Sequence, residues 1–191
     1  MEYEFSLETK PMILETNRLI LRPIAIDDIN EIFAYRSDKE TNKYQGWIPE
    51  TVEDVRVFVE NIATEINLPE TWFQFVIIEK LSSTIIGDLG IHFLDHENKQ
   101  VELGCTLKKD SQRKAYAMEA LGRVIDYVFT DLKKHRIVAS IDPDNISSLR
   151  LLNRLGFRQE AHFVESMFIQ GKWVDDVRFA MLESEWQKLR S

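Results

Sequence analysis

The chain has 191 residues with 24 Lys and Arg against 32 Asp and Glu, which gives a formal net charge of −8. This length suits one domain with a substantial core, and 44% hydrophobic residues with only 7 Gly and 5 Pro are typical of a globular protein. The acidic balance argues against a nucleic-acid partner, whose phosphates are bound mainly by lysine and arginine, and it favours amine-bearing partners unless it serves solubility alone.

The first third of the chain predicts an arm, a strand and two helices, over residues 1–14, 18–23, 27–37 and 51–66. The arm shows no clear period, the strand alternates apolar and polar residues, and the helices repeat apolar residues at helical spacing. Thr51 followed by Asp54 predicts a capping box at the start of the second helix. Between the helices, Tyr44 and Trp47 either wall a binding site or cap the core.

The rest of the chain predicts a three-strand meander, a helix, a strand, a helix and a terminal hairpin, over residues 73–79, 84–94, 100–107, 110–129, 136–142, 144–157, 157–168 and 173–181. Gly156 is expected to end the second of these helices in the left-handed conformation. Gln170 to Lys172 supply the hairpin turn. This order predicts a mixed α/β sheet.

The third strand of the meander has two different faces. Glu102, Gly104 and Thr106 share one face, and the apolar set shares the other: Val101, Leu103, Cys105 and Leu107. We therefore expect Glu102 to point away from the main core and Cys105 to be a packed small residue rather than a nucleophile.

The remaining composition favours simple chemistry in the cytoplasm. Cys105 is the only cysteine, so no internal disulfide can form, and the four histidines show no metal-ligand spacing. Apolar runs such as Phe75 to Ile78 are far too short to cross a bilayer, and the N-terminus lacks a basic region followed by an apolar one. We expect a cytoplasmic protein without a metal or a membrane partner.

Cations gather where the helix over residues 110–129 begins: Lys108, Lys109, Arg113 and Lys114. A helix N-terminus exposes about four unbonded amides and roughly half a positive charge, and the small Ala115 and Ala117 would let an anion approach them. The same composition also begins ordinary surface helices.

Five stretches together resemble, in order and over nearly the whole chain, the GNAT superfamily of acyl-CoA N-acetyltransferases: NRLILRP, VELGCTL, QRKAYAMEAL, HRIVASIDPDNISSLRLLNRLGF and VDDVRFAML. More narrowly they look like its Rim-type branch, whose members acetylate N-termini of ribosomal proteins. The resemblance implies one α+β domain over residues 1–191, with a mixed, mostly antiparallel central sheet flanked by helices. It implies acetyl-CoA as donor and a protein N-terminus or small amine as acceptor. A homodimer is a possible assembly.

The resemblance also implies a phosphate-binding loop, formed by Gln112, Arg113, Lys114, Ala115, Tyr116 and Ala117. Ala115 stands where the family has glycine. A right-handed backbone at Ala115 would cost little, whereas a positive φ would cost on the order of 1 kcal/mol and would crowd the phosphate.

Further site residues follow from the same resemblance. The backbone of the splayed strand would pair with the pantetheine arm, through Leu103, Cys105, Thr106 and Leu107. Asn145 and Ser148 form the Rim-type N-x-x-S pattern and would bind the pantetheine, with Ser148 also stabilising the departing sulfur. Arg154 would lie toward the CoA phosphates. The alternatives are a fully paired strand, helix capping by Asn145 and Ser148, and a solvated Arg154.

Glu102 is the candidate for the base that deprotonates the amine, directly or through water, because an amine of pKa near ~10.4 arrives protonated at neutral pH. A solvated or salt-bridged Glu102 is the alternative. Leu152 stands where many family members have a tyrosine acid. With Ala115 in the loop, this leaves a rival function, a catalytically weakened CoA-binding regulatory or ribosome-associated module.

Overall fold

The computed structural model describes residues 12–190, and over that part of the chain an eight-stranded sheet is flanked by five α-helices. The strands are β1 (Leu14–Glu15), β2 (Leu19–Pro23), β3 (Trp72–Glu79), β4 (Thr84–Phe93), β5 (Gln100–Leu107), β6 (Arg136–Ile141), β7 (Arg158–Ile169) and β8 (Lys172–Leu182). The helices are α1 (Ile29–Arg36), α2 (Val52–Asn61), α3 (Tyr116–Thr130), α4 (Ile146–Leu155) and α5 (Glu183–Arg190). The expected N-terminal arm, residues 1–14, lies almost wholly outside the described residues.

The strand order is β1-β2-β3-β4-β5-β6-β8-β7, and every neighbouring pair is antiparallel except β5 and β6. The predicted meander is confirmed as β3, β4 and β5. The predicted mixed, mostly antiparallel sheet flanked by helices is also confirmed.

Helices cover both faces of the sheet because its strands are apolar on both. Phe73, Phe75 and Ile77 of β3 join the core under α3 and α4, whereas Val76 between them joins a second cluster under α1 and α2. Each fully buried side chain of this size contributes about 1.5–3 kcal/mol. The two helix layers therefore pack on two separate apolar clusters. The α1–α2 layer also covers the polar face of β5.

The local signals in the sequence match the observed ends of several elements. Thr51 Oγ1 accepts from the Asp54 amide at 3.2 Å and the Asp54 carboxylate accepts from the Thr51 amide at 2.8 Å, which is the predicted capping box. Gly156 ends α4 at φ +90°, as predicted. The hairpin turn has positive φ at Gln170 and Gly171, which suits a two-residue connection.

Three features differ from the sequence-based prediction. Helix α2 ends at Asn61, and the next residues up to 66 are not helical. Helix α3 begins at Tyr116 rather than at residue 110. Helix α5 was not predicted, because eight mostly polar residues carry little periodic signal.

Across residues 12–190, no helix is both long enough and apolar enough to span a membrane.

Candidate active site

Strands β5 and β6 separate after a short parallel contact, which opens a gap in the middle of the sheet. They pair over only three residues each, Gln100 to Glu102 with Arg136 to Val138. On its other side β5 stays paired with β4 as far as Leu107. The second half of β5 therefore has one edge without a strand partner in the described part of the chain.

The alternation of the β5 backbone decides which residues face this gap. The carbonyl of Gln100 and the amide of Lys108 bond to β4 at 3.1 and 2.8 Å, so even-numbered residues turn their peptide groups to β4. The odd-numbered residues after the parallel contact turn theirs to the gap: Leu103, Cys105 and Leu107. Thr106 is even-numbered and offers the site its side chain rather than its peptide group.

The loop that leads from β5 into α3 holds two non-glycine residues in the left-handed region. The φ angle is +61° at Arg113 and +64° at Ala115, and Ala115 is the N-cap of α3. The amides of residues 115–118 have no protein acceptor among the described residues. Amides turned together in this way form an anion-binding concavity at a helix N-terminus. Ala115 thus adopts the backbone conformation that costs alanine energy.

Tyr116 fixes the start of α3 and points its side chain away from these amides. Its hydroxyl donates to Glu79, and the Arg18 guanidinium lies 4.5 Å from its ring centroid. Arg18 also donates to the Lys114 carbonyl at 3.1 Å and pairs with Glu119 at 2.6 Å. Tyr116 can therefore contact an anion through its backbone amide but not through its side chain.

The other residues of the loop have different surroundings. Gln112 Nε2 donates to the Leu107 carbonyl at 3.2 Å, on the edge of β5 that has no strand partner. The side chains of Arg113 and Lys114 are exposed. Ala117 lies in the first turn of α3, where its methyl leaves the amides accessible. The loop thus combines amides that lack an acceptor within residues 12–190 with two exposed cations.

Helix α4 begins at the same edge of the sheet as α3, because β5 and β6 run parallel and each leads into one of these helices. Asn145 is the N-cap of α4, and its side-chain oxygen accepts from the Ser148 amide at 3.2 Å. This confirms the capping interpretation of Asn145. The Ser148 hydroxyl is half-buried and has no partner among the described residues, and Arg154 is exposed near the end of α4.

The face of the sheet under α1 and α2 carries three rows of paired residues from β3, β4 and β5. The rows are Trp72, His92 and Glu102; then Gln74, Gly90 and Gly104; then Val76, Asp88 and Thr106. Glu102 therefore faces away from the main core, as predicted. Its carboxylate lies 3.9 Å from His92 Nδ1, and the Trp72 ring stacks on His92. This row could not be predicted from the sequence, because its members are up to 30 residues apart.

A cavity of about 730 Å³ lies over the middle row. Its walls include Trp47 from the α1–α2 loop, Phe58 from α2 and Trp72 from β3, and its floor includes Gly104. Thr106 also lines it, and the buried Thr106 Oγ1 has no hydrogen-bond partner among the described residues. Trp47 therefore walls a cavity, whereas Tyr44 lies outside it.

Beneath the cavity, the buried carboxylate of Asp88 collects four donors. It accepts from Tyr35 Oη at 2.5 Å, from Gln74 Nε2 at 2.7 Å, and from Arg36 through Nε at 2.9 Å and a second nitrogen. Burial and the Asp88 charge hold the pKa of Tyr35 well above its ordinary value, so the hydroxyl stays a donor. The network fixes α1 to the sheet.

Cys105 behaves as a packed thiol. Its side chain packs against the main core on the same face of β5 as Leu103 and Leu107, and burial raises the pKa of its thiol to about 12. A thiol with this pKa carries almost no thiolate at neutral pH, so it is a poor nucleophile. This agrees with the packing role expected from the sequence.

The chain matches known proteins along most of its length. Residues 18–158 match the family model described as acetyltransferase (GNAT) domain. The chain is 34% identical over 174 residues to an uncharacterized N-acetyltransferase, p20, of Bacillus licheniformis, which covers 91% of this chain and 97% of that protein. It is 24% identical over 170 residues to a spermidine N(1)-acetyltransferase of Vibrio cholerae, which covers 89% of this chain and 96% of that protein.

A solved structure shows the same fold. The crystal structure of a GNAT-family acetyltransferase from Bacillus anthracis superposes with a TM-score of 0.80 at 28% identity, and the match covers 91% of this chain and 100% of that chain. The chain therefore belongs to the GNAT family, and it is an N-acetyltransferase with acetyl-CoA as its acyl donor.

Proposed function

We propose that residues 1–191 form a single domain that transfers an acetyl group directly from acetyl-CoA to a primary amine, in one ternary complex. The observation that carries this proposal is the free edge of β5, which ends beside the unbonded amides of α3. An extended pantetheine can add to such an edge as a strand would, while its diphosphate meets a helix N-terminus. The chain thus provides a matched site for both ends of the donor.

On the donor side, each residue has a separate task. The amides of residues 115–118 and the cations of Arg113 and Lys114 would bind the diphosphate. Leu103, Cys105 and Leu107 would bond to the pantetheine amides through peptide groups on the open edge of β5, although the Leu107 carbonyl already accepts from Gln112. Asn145 and Ser148 would border the pantetheine from α4. Arg154 would add an outer cation. The Thr106 side chain faces the acceptor cavity and would border the reacting atoms from that side.

On the acceptor side, Glu102 would take the proton that the ammonium group must lose before it attacks. Acetyl-CoA supplies the thioester. The amine nitrogen forms a bond to the carbonyl carbon, the carbon–sulfur bond breaks, and the sulfur leaves with the electron pair. A peptide amide of Cys105 or Leu107 would stabilise the charge that develops on the carbonyl oxygen, for which one donor contributes a few kcal/mol.

The departing sulfur needs only modest help, because its conjugate thiol has a pKa near ~8.5. Leu152 has no proton to donate, so the hydroxyl of Ser148 would serve as the hydrogen-bond donor to this sulfur.

The Asn145 and Ser148 pair also supports the proposed Rim-type branch, whose acceptors are protein N-termini. A small amine is the other acceptor class, in keeping with the spermidine relative.

Thiol release from acetyl-CoA tests the proposal. The purified protein is incubated with acetyl-CoA and one primary amine at a time, and the acetylated product is identified by mass spectrometry. We expect amine-dependent thiol release with a matching mass increase of one acetyl group. Tight CoA binding without amine-dependent release would instead favour a CoA-binding regulatory module, and Ala115→Asp should weaken CoA binding in either case.

A further inference from the structure

We propose that the acceptor is a primary amine on a flat, apolar body with a single positive charge, and that this body occupies the cavity under α1 and α2. The inference rests on the proposed function and narrows its acceptor class. A linear polyamine and an open peptide chain are the competing classes.

The cavity is built from aromatic side chains held in fixed orientations. Trp47 and Phe58 stack with ring centroids 4.7 Å apart, and Trp72 and His92 stack at 4.5 Å with only 7° between their planes. A stacked ring cannot turn away without losing its partner, so the walls keep their shape. A volume of about 730 Å³ lies within the usual range for small-molecule sites.

Two glycines make the floor flat. A Cβ on Gly90 would lie only 3.1 Å from the Trp72 ring, so the missing side chain lets this ring lie over the strand. A Cβ on Gly104 would meet nothing within 4 Å, and Gly104 lines the cavity. Gly104 therefore leaves empty a space that any side chain would fill, which suits the approach of a planar body.

The floor of the cavity also adjoins the donor edge. Gly104 and Cys105 both line the cavity, and the peptide group of Cys105 faces the gap between β5 and β6. Glu102 lies two residues from Gly104 on the same strand face, which is roughly 7 Å along the strand. An amine that leaves the cavity beside Gly104 would thus meet both the thioester and the base.

The charges around the cavity suit one cation. Arg36 lines it but is neutralised by Asp88, and Asp54 already accepts from the amides of Glu50 and Thr51. Among the lining residues of the described chain, Glu70 is the remaining carboxylate. A polyamine with three or more charges would leave most of them without a partner in this aromatic space, at a substantial desolvation cost.

Thr106 supplies a polar contact inside the cavity. It is only 6% exposed, and its Oγ1 has no hydrogen-bond partner within residues 12–190, although hydroxyl groups at that depth are normally bonded. It lies in register with Asp88, one row from Gly104. After rotation of the Thr106 side chain toward the cavity, a polar atom of the acceptor, such as an indole or amide nitrogen, would bond to this hydroxyl.

Steady-state kinetics with three probes test the inference: tryptamine, spermidine and a tetrapeptide with a free N-terminal alanine. We expect kcat/KM for tryptamine to exceed that of both others by at least tenfold. Gly104→Val should raise the KM for tryptamine at least tenfold and leave the KM for acetyl-CoA unchanged. Gly122→Val is the matched control, because a Cβ on Gly122 of α3 also meets open space but lies outside the cavity lining.

Preference for spermidine or for the peptide would overturn the inference and leave the proposed function intact. If no amine releases thiol, titration of tryptamine into the protein separates the two failures. Saturable binding that Gly104→Val abolishes would keep the cavity assignment and reject turnover alone. Absence of tryptamine binding would overturn both the cavity assignment and the proposed transfer to these amines.

Discussion

Nδ1 of His92 lies 3.9 Å from Oε2 of Glu102, and the two residues are direct partners across β4 and β5. The imidazole is in turn stacked on Trp72, so its plane is fixed by a second contact. The Glu102 side chain is only 22% exposed. The carboxylate is therefore held at the end of a rigid row, next to the cavity floor, rather than moving freely in solvent.

Glu102→Gln tests the base directly. The amide keeps the size of the side chain but cannot take up the ammonium proton, so kcat should fall by about 10²-fold or more. Glu97→Gln, in the exposed turn between β4 and β5, is the matched control and should be neutral. A wild-type kcat in Glu102→Gln would exclude Glu102 as the base.

Ala115→Gly should stabilise the protein. The φ angle of +64° strains alanine but not glycine, and relief of this strain is worth about 1 kcal/mol. Ala117→Gly, two residues later inside α3, should have the opposite sign, with a loss of about 0.5–1 kcal/mol. Urea unfolding of both variants gives the comparison. Equal destabilisation by both would show that Ala115 is relaxed in solution.

Much of the fold could be predicted from the sequence because the signals are local. The Thr51 and Asp54 capping box spans four residues, and Gly156 marks the end of α4 by its own backbone. The residues that shape the cavity could not be predicted in this way, since they meet only through strand register. Trp72 reaches Glu102 through His92 on a different strand, and a one-residue slip would place them on opposite faces.

The backbone conformation of the loop before α3 could not be predicted from the sequence either. The sequence predicted an anion site from small residues and cations, but it left the backbone of Ala115 open between two conformations. The positive φ at Arg113 and Ala115 depends on long-range anchors, since Arg18 bonds to the Lys114 carbonyl and stacks on Tyr116. Those anchors lie nearly 100 residues away along the chain.

Asp88→Asn should be strongly destabilising. Arg36 is buried, and Asp88 supplies the negative charge that compensates it together with hydrogen bonds to Tyr35 and Gln74. Removing one member of a buried pair typically costs about 3–5 kcal/mol, because the other charge remains without compensation.

Glu40→Gln provides the contrast for this prediction. Glu40 pairs with Lys43 at 3.2 Å, but both side chains are largely exposed, so solvent screens the pair and the loss of stability should be far smaller than for Asp88→Asn. Chemical unfolding at pH 7 measures both variants. Similar losses in the two would mean that solvent reaches the Asp88 network.

Lys134 should make stability rise with pH in the alkaline range. Its side chain is 2% exposed, and Nζ donates to the carbonyl and the side-chain oxygen of Asn98, both at 2.5 Å. Burial, with a smaller contribution from the nearby charge of Lys99, lowers the pKa of Lys134 to about 8. Between pH 8 and the ordinary lysine pKa near ~10.4, the unfolded chain binds more protons than the folded one, so the free energy of unfolding increases with pH.

The difference between wild type and Lys134→Met isolates this effect. Tyr35 and Cys105 act in the opposite direction above about pH 9, because burial raises the pKa of each and the unfolded chain loses those protons first. Both variants share that decline, so it cancels. We expect the wild-type advantage over Lys134→Met to grow by about 1–3 kcal/mol from pH 7.5 to 10, measured by urea unfolding. A difference that stays constant with pH would show that Lys134 keeps its proton in the folded state throughout this range.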